Sequence, residues 1–297
     1  MGIKFRLIVM NFLQYAIWGS WLISLGAYLG GGLDFTGLQI GSFFATMGVA
    51  SLFMPAVMGI IADRWIPAQK LLGICHLVSG GFLIAAASQT AYGPLYSCML
   101  LSVMFYMPTI ALSNSVAYNA LDLARLDTVK HFPPIRVWGT VGFIAAMWFV
   151  DLTHIGGVQI KLTEWQLYVS AVLSFLLAVY SFSLPGCPVD RTVKARSWVD
   201  TLGLRAFTLF KEKRMAIFFV FSMLLGAALQ ITNAFGDSYI QSFGSMPQYA
   251  DSAIVKHSVI LLSLSQMSET FCILLIPFFL RRFGIKKVML ISMLAWV

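Results

Sequence analysis

Charge is what this sequence has least of. Asp and Glu number 12 and Lys and Arg 20, so 11% of the 297 residues are charged, against about a quarter in an ordinary soluble domain. That shortage excludes a soluble catalytic domain, and the apolar content excludes a disordered chain. Cysteine is scarce too. Cys75, Cys98, Cys187 and Cys272 have no paired spacing, which argues against a disulfide scaffold or thiolate metal site. His76, His131, His154 and His257 are scattered without ligand spacing, and no Walker loop is present. No metal or cofactor is therefore expected, and ATP is not the expected energy source.

What is present is lipid-compatible surface. Fully 59% of residues are apolar, with 24 Phe and 15 Met, and the mean hydropathy is +0.83. The apolar residues come in blocks, and a bilayer core of about 30 Å needs about 20 helical residues to cross. Eight blocks qualify: 7–29, 38–62, 71–90, 95–120, 135–150, 165–184, 215–240 and 253–280. The first is too long for a signal peptide and lacks a cleavage site, so it is expected to remain as a helix. Residues 288–297 read as the start of a ninth span. An all-α membrane protein follows, with eight complete transmembrane helices and part of a ninth, and the sequence reads as a fragment of a longer transporter.

With the N-terminus inside, every Lys and Arg except Lys161 and Lys256 falls on the inner side, so the positive-inside rule places the N-terminus in the cytoplasm. The net charge of +8 is then explained by anionic lipid, with no nucleic acid needed. The longest polar stretch, 186–214, follows six spans. It divides the chain into an N-terminal half (1–185), a cytoplasmic inter-half loop (186–214) and an incomplete second half (215–297), the plan of transporters built from two repeats. Short inner turns recur at equivalent places: Gly59 to Lys70, containing Asp63 and Arg64, and Phe279 to Lys287. Asp63 at a helix end is suited to hold a neighbouring cation.

Gly59, Ala62, Asp63 and Arg64 resemble the conformational loop signature of the major facilitator superfamily. More of the chain resembles one branch, the bacterial nucleoside:proton symporters. The resemblance rests on Phe12-Leu-Gln14, Trp18-Gly-Ser-Trp21, Phe53-Met-Pro55, Tyr106-Met-Pro108, Phe132-Pro-Pro-Ile-Arg136 with Trp138-Gly-Thr140, and Gly226-Ala-Ala-Leu-Gln230-Ile-Thr-Asn233. It implies the superfamily's twelve-helix fold, of which three and a half helices have no counterpart here. It also implies nucleoside uptake driven by the proton gradient through alternating access, in a monomeric transport unit of the bacterial inner membrane.

An ionisable group within a span is a functional candidate. Glu269 lies near the middle of the eighth span with Gln266 one turn earlier, and no cation shares that depth on its helix. A desolvated Glu has a raised affinity for protons, so Glu269 is the proton-coupling candidate as well as a substrate ligand. Gln230 and Asn233 form a similar i, i+3 pair on the seventh span. Their carboxamides suit a nucleoside's edges, or serve as interhelical glue. Arg136, Thr140 and Phe143 follow one another along one side of the fifth span. Arg136 could simply anchor to headgroups, but the resemblance implies substrate contacts: stacking by Phe143, hydrogen bonds from Arg136 and Thr140.

Weaker cavity candidates are Gln14, Trp18, Trp21, Asn114 and Tyr118. Pro55, Pro108 and Pro277 are possible bending points, and Pro133 and Pro134 are expected in the first turn of their helix. Gly37 and Gly41 read as a packing face, and Asp237 as a solvated residue at the outer end of its span. A membrane enzyme would need a converging nucleophile, dyad or metal set, and none converges. The competing transport reading is a carrier of sugars or another small polar solute, which would use the same residue types.

Overall fold

The structure is a computed structural model and describes residues 2–189, 209–249 and 251–294. Most of the expected loop between halves therefore lies outside the described residues. Helix α1 is Ile3–Gly19, followed by a three-residue helix α2, Leu25–Ala27, and a π turn, Tyr28–Gly32. The long helices α3, Gly37–Arg64, α4, Ala68–Ala87, α5, Tyr92–Leu123, and α6, Thr128–Leu152, come next. A two-stranded hairpin, β1 His154–Ile155 against β2 Val158–Gln159, and a 3-10 turn, Ile160–Leu162, lead into α7, Trp165–Ser181. Beyond the undescribed segment lie α8, Lys213–Ser242, α9, Ala253–Lys256, and α10, Ser258–Leu294.

Among the described residues five helices are long and apolar enough to cross a bilayer: α3, α4, α5, α6, and α8 continued to Ser245. The first apolar block, expected to be one helix, is broken after Gly19. The Ser20 hydroxyl donates to the Ala16 carbonyl at 2.8 Å, and the glycine-rich run that follows carries a high entropy cost in a helix. The fifth block starts earlier than expected. The Asp127 carboxylate caps the helix by accepting from the Val129 and Lys130 amides at 2.9 and 3.4 Å, so Pro133 and Pro134 lie inside α6 and not in its first turn. In α10 the backbone turns at Gly284, with φ 71° and ψ 162°, a conformation that favours glycine. That point is the inner turn expected between the eighth and ninth spans.

Helix α1 lies along α6 because glycines let the two backbones meet. A Cβ on Gly142 would collide with the Phe12 carbonyl, and one on Gly19 with the Phe143 carbonyl. Gly37 and Gly41, expected to pack, have nothing within 4 Å of a Cβ position. Helix α4 packs between α5 and α7, and α3 against α5. Buried His76 links these helices: its Nε2 donates to the Gln14 Oε1 at 2.8 Å, while the Gln14 Nε2 donates to the Thr109 hydroxyl at 2.7 Å. Both ends of the Gln14 amide are thus engaged inside the bundle.

Candidate functional site

The helices leave a cavity of about 510 Å³ between α1, α3, α5 and α8, lined among others by Trp18, Phe44, Met107, Gln230 and Phe235. Behind this lining the Trp18 ring packs on two further aromatic rings. It lies 6.0 Å from the ring of Tyr106 and 6.4 Å from that of Phe143, edge-on to the latter. Tyr106 is fixed by its hydroxyl, which donates to the Gln14 carbonyl at 2.6 Å.

One turn before Trp18, the Tyr15 ring carries the Arg136 guanidinium at 3.8 Å from its centroid, a cation–π contact. Tyr15 therefore holds the fifth-span candidate Arg136 against α1. Arg136 is half-buried, Thr140 and Phe143 are buried, and Glu269 is exposed. Neither Arg136 nor Glu269 has an ion-pair partner among the described residues.

Six buried polar side-chain atoms among the described residues have no hydrogen-bond partner, on Asn11, Trp18, Asn114, Arg136, Gln230 and Ser238; of these residues Trp18 and Gln230 line the cavity. Native proteins satisfy nearly all buried polar groups, so the free donors of Trp18 and Gln230, from α1 and α8, are where this cavity would accommodate a polar ligand. Asn233 and Gln266 are half-buried, and both, like Arg136, Thr140, Phe143 and Glu269, lie outside the lining of this cavity. Trp21 is buried at the helix break, and Tyr118 is exposed and packs on Phe132, 4.5 Å between centroids. A second groove of about 440 Å³, lined by Phe12, Ala16, Phe149, Trp165, Tyr168 and Val172 among others, has almost no polar surface and is suited to lipid chains.

Gly59, Asp63 and Arg64 occupy the last two turns of α3, and Trp65 closes the helix. Asp63 is exposed and has no ion pair among the described residues. The stronger anchor of that inner end is Gln69, whose side-chain carbonyl accepts from the Cys187 amide at 3.0 Å; burial pushes the Cys187 thiol's pKa up.

The clearest correction concerns Asp237. It is not solvated: its exposure is 0%, and its carboxylate accepts from the Ser258 hydroxyl and from the Gln241 amide at 3.0 Å. Nearby, Lys161, placed by topology in an outer loop, is 1% exposed and pairs at 2.6 Å with Asp151 at 0%. Neither partner was singled out from the sequence, although Lys161 is one of only two cations there that the positive-inside rule leaves on the far side.

Comparison with known proteins places these features. The family model described as nucleoside H+ symporter matches residues 1–297. The xanthosine permease of Escherichia coli K12 is 53% identical over 296 residues, covering 100% of this chain and 70% of the permease. The nucleoside permease NupG of the same organism is 48% identical over 297 residues, again 100% and 70%. A crystal structure of NupG superposes with a TM-score of 0.87 at 48% identity, covering 100% of this chain and 72% of that one. A crystal structure of a NupG point mutant gives 0.91, at 99% and 72% coverage.

Proposed function

The chain belongs to the nucleoside H+ symporter family, and from that premise we propose that it takes up nucleosides with protons at the site formed by Trp18, Arg136, Thr140, Phe143, Gln230, Asn233, Gln266 and Glu269. It is a transporter and not an enzyme, as its relatives are. In this reading it spans the bacterial inner membrane eight times and begins a ninth crossing, as part of a twelve-helix major facilitator fold, with the N-terminus in the cytoplasm. Residues 1–185 and 215–297 belong to two halves that rock about the site as a monomeric unit, and the loop carrying Gly59, Asp63 and Arg64 follows their movement. No cofactor takes part, and the proton gradient is the energy source.

The observation that supports this reading is the set of unpartnered buried polar atoms on Trp18, Gln230, Arg136 and Asn114, the first two at the cavity and Trp18 packed on Phe143. Three are donors, on Trp18, Arg136 and Gln230, and one is an acceptor, on Asn114. A nucleoside meets both demands, with a flat base for the faces of Trp18 and Phe143 and carbonyl, imino and hydroxyl groups for the polar atoms. A sugar would satisfy the polar atoms too, but has no flat π-face to stack against Phe143. Replacing Gln230 with Ala is expected to weaken uridine binding about fivefold to tenfold in calorimetry, the effect of one neutral hydrogen bond of about 1 kcal/mol or slightly more. In a competition assay, uridine and adenosine should block uptake and lactose should not; block by lactose alone would favour the sugar reading.

A further inference from the structure

The buried charges at the end of the molecule away from the N-terminus form one connected chain. The Lys161 ammonium donates to Asp151 Oδ1 at 2.6 Å, to the Lys256 carbonyl at 2.8 Å and to Ser258 Oγ at 3.3 Å. All three of its protons are thereby used. The second oxygen of Asp151 accepts from His257 Nδ1 at 2.7 Å. Ser258 in turn donates to Asp237, and Gln159 Nε2 reaches the Lys256 carbonyl at 3.3 Å.

Most of these bonds join residues before the undescribed loop to residues after it. Among the described residues the hydrogen bonds that cross in this way are Lys161 to Lys256, Lys161 to Ser258, Asp151 to His257, Gln159 to Lys256, and Trp148 Nε1 to Ser263 Oγ at 2.9 Å. They run from the end of α6 and the hairpin and 3-10 turn that follow it to α9, His257 and the first turns of α10. Backbones also meet here: a Cβ on Gly26 would stand 2.8 Å from the Ala234 carbonyl.

We propose that Lys161, Asp151 and the segment Lys256–Ser258 are a reversible latch that closes the outer end of the transport path. The proposal rests on the transport reading and on the N-terminus being cytoplasmic. A polar latch suits a gate that must reopen. Buried ion pairs give back much of their attraction as lost hydration, so closure and solvated opening stay close in free energy, whereas apolar residues of the same volume often hold more firmly. Removing Lys161 leaves the buried Asp151 carboxylate with His257 as its one side-chain partner among the described residues and favours opening; removing the Lys161 and Asp151 charges together favours closure, with Asp237 still held by Ser258 and Gln241.

The test uses spin labels at Val158→Cys and Ile254→Cys, both exposed positions flanking the latch, in the full chain with its four cysteines replaced by Ala and reconstituted in nanodiscs. Lys161→Met is expected to shift the ratio of short to long inter-label distances towards long by on the order of a hundredfold, the effect of breaking a buried pair. Asp151→Leu combined with Lys161→Met should return the population to short distances. Lys161→Arg should stay near the parent. If Lys161→Met does not fold, His257→Ala removes one crossing bond from a side chain that is 37% exposed, with an expected shift of about fivefold. Parent-like distances in every folded variant would overturn the latch. Because the distances need no substrate, that result with intact uridine uptake counts against the latch alone, and absent uptake in the parent chain counts against the transport reading alone.

Discussion

Arg136→Met should weaken uridine binding between about tenfold and a hundredfold, the span expected for a lost hydrogen bond to a charged group. The expectation follows from a buried Nη1 with no partner, held in place over the Tyr15 ring. Stacked on that ring, the guanidinium is oriented before substrate arrives, so little side-chain entropy is lost on binding. Arg136→Lys separates this role from headgroup anchoring. A lysine anchors equally well but lacks the planar fork. Lysine should therefore recover less than half of the lost binding free energy in calorimetry; full recovery would assign Arg136 to the lipid interface.

Glu269→Gln should abolish uphill accumulation of uridine while leaving exchange of labelled for unlabelled uridine within about threefold of the parent. The amide keeps the size and one acceptor of the carboxylate but takes up no proton. A carboxylate at that depth of a span that gains and loses a proton as substrate binds is what coupling requires. Loss of exchange and accumulation together would make Glu269 a substrate ligand only, and full accumulation would remove it from the proton path.

Much of the helical architecture was legible because lipid imposes a simple rule: backbone polar groups must be satisfied within the helix, so apolar length translates into span. Boundaries were less legible where local chemistry overrides length. Asp127 extends α6 backwards by capping it, and the serines and glycines after residue 18 break the first block although its composition is apolar throughout.

The site was legible by residue type more than by contact. Arg136, Phe143, Gln230 and Glu269 could each be singled out as polar or aromatic residues at depth. Tyr15, which holds Arg136, looks in sequence like any interfacial aromatic. Asp237 was misread because depth along a helix does not tell which face a residue occupies, and only the packing of α8 against α10 hides it. Lys161 carried a usable signal. It and Lys256 are the two cations that break the inner-side pattern, and the structure joins them by a hydrogen bond from the Lys161 ammonium to the Lys256 carbonyl. A charge that departs from the topological rule is worth examining as a structural partner before it is dismissed as a loop residue.

The central claim is tested most directly by uptake of labelled uridine into proteoliposomes with an imposed pH gradient, acid outside. The account predicts accumulation above the external concentration that collapses when a protonophore is added. Uptake that stops at equal concentrations with the gradient intact, or accumulation indifferent to the protonophore, would contradict it.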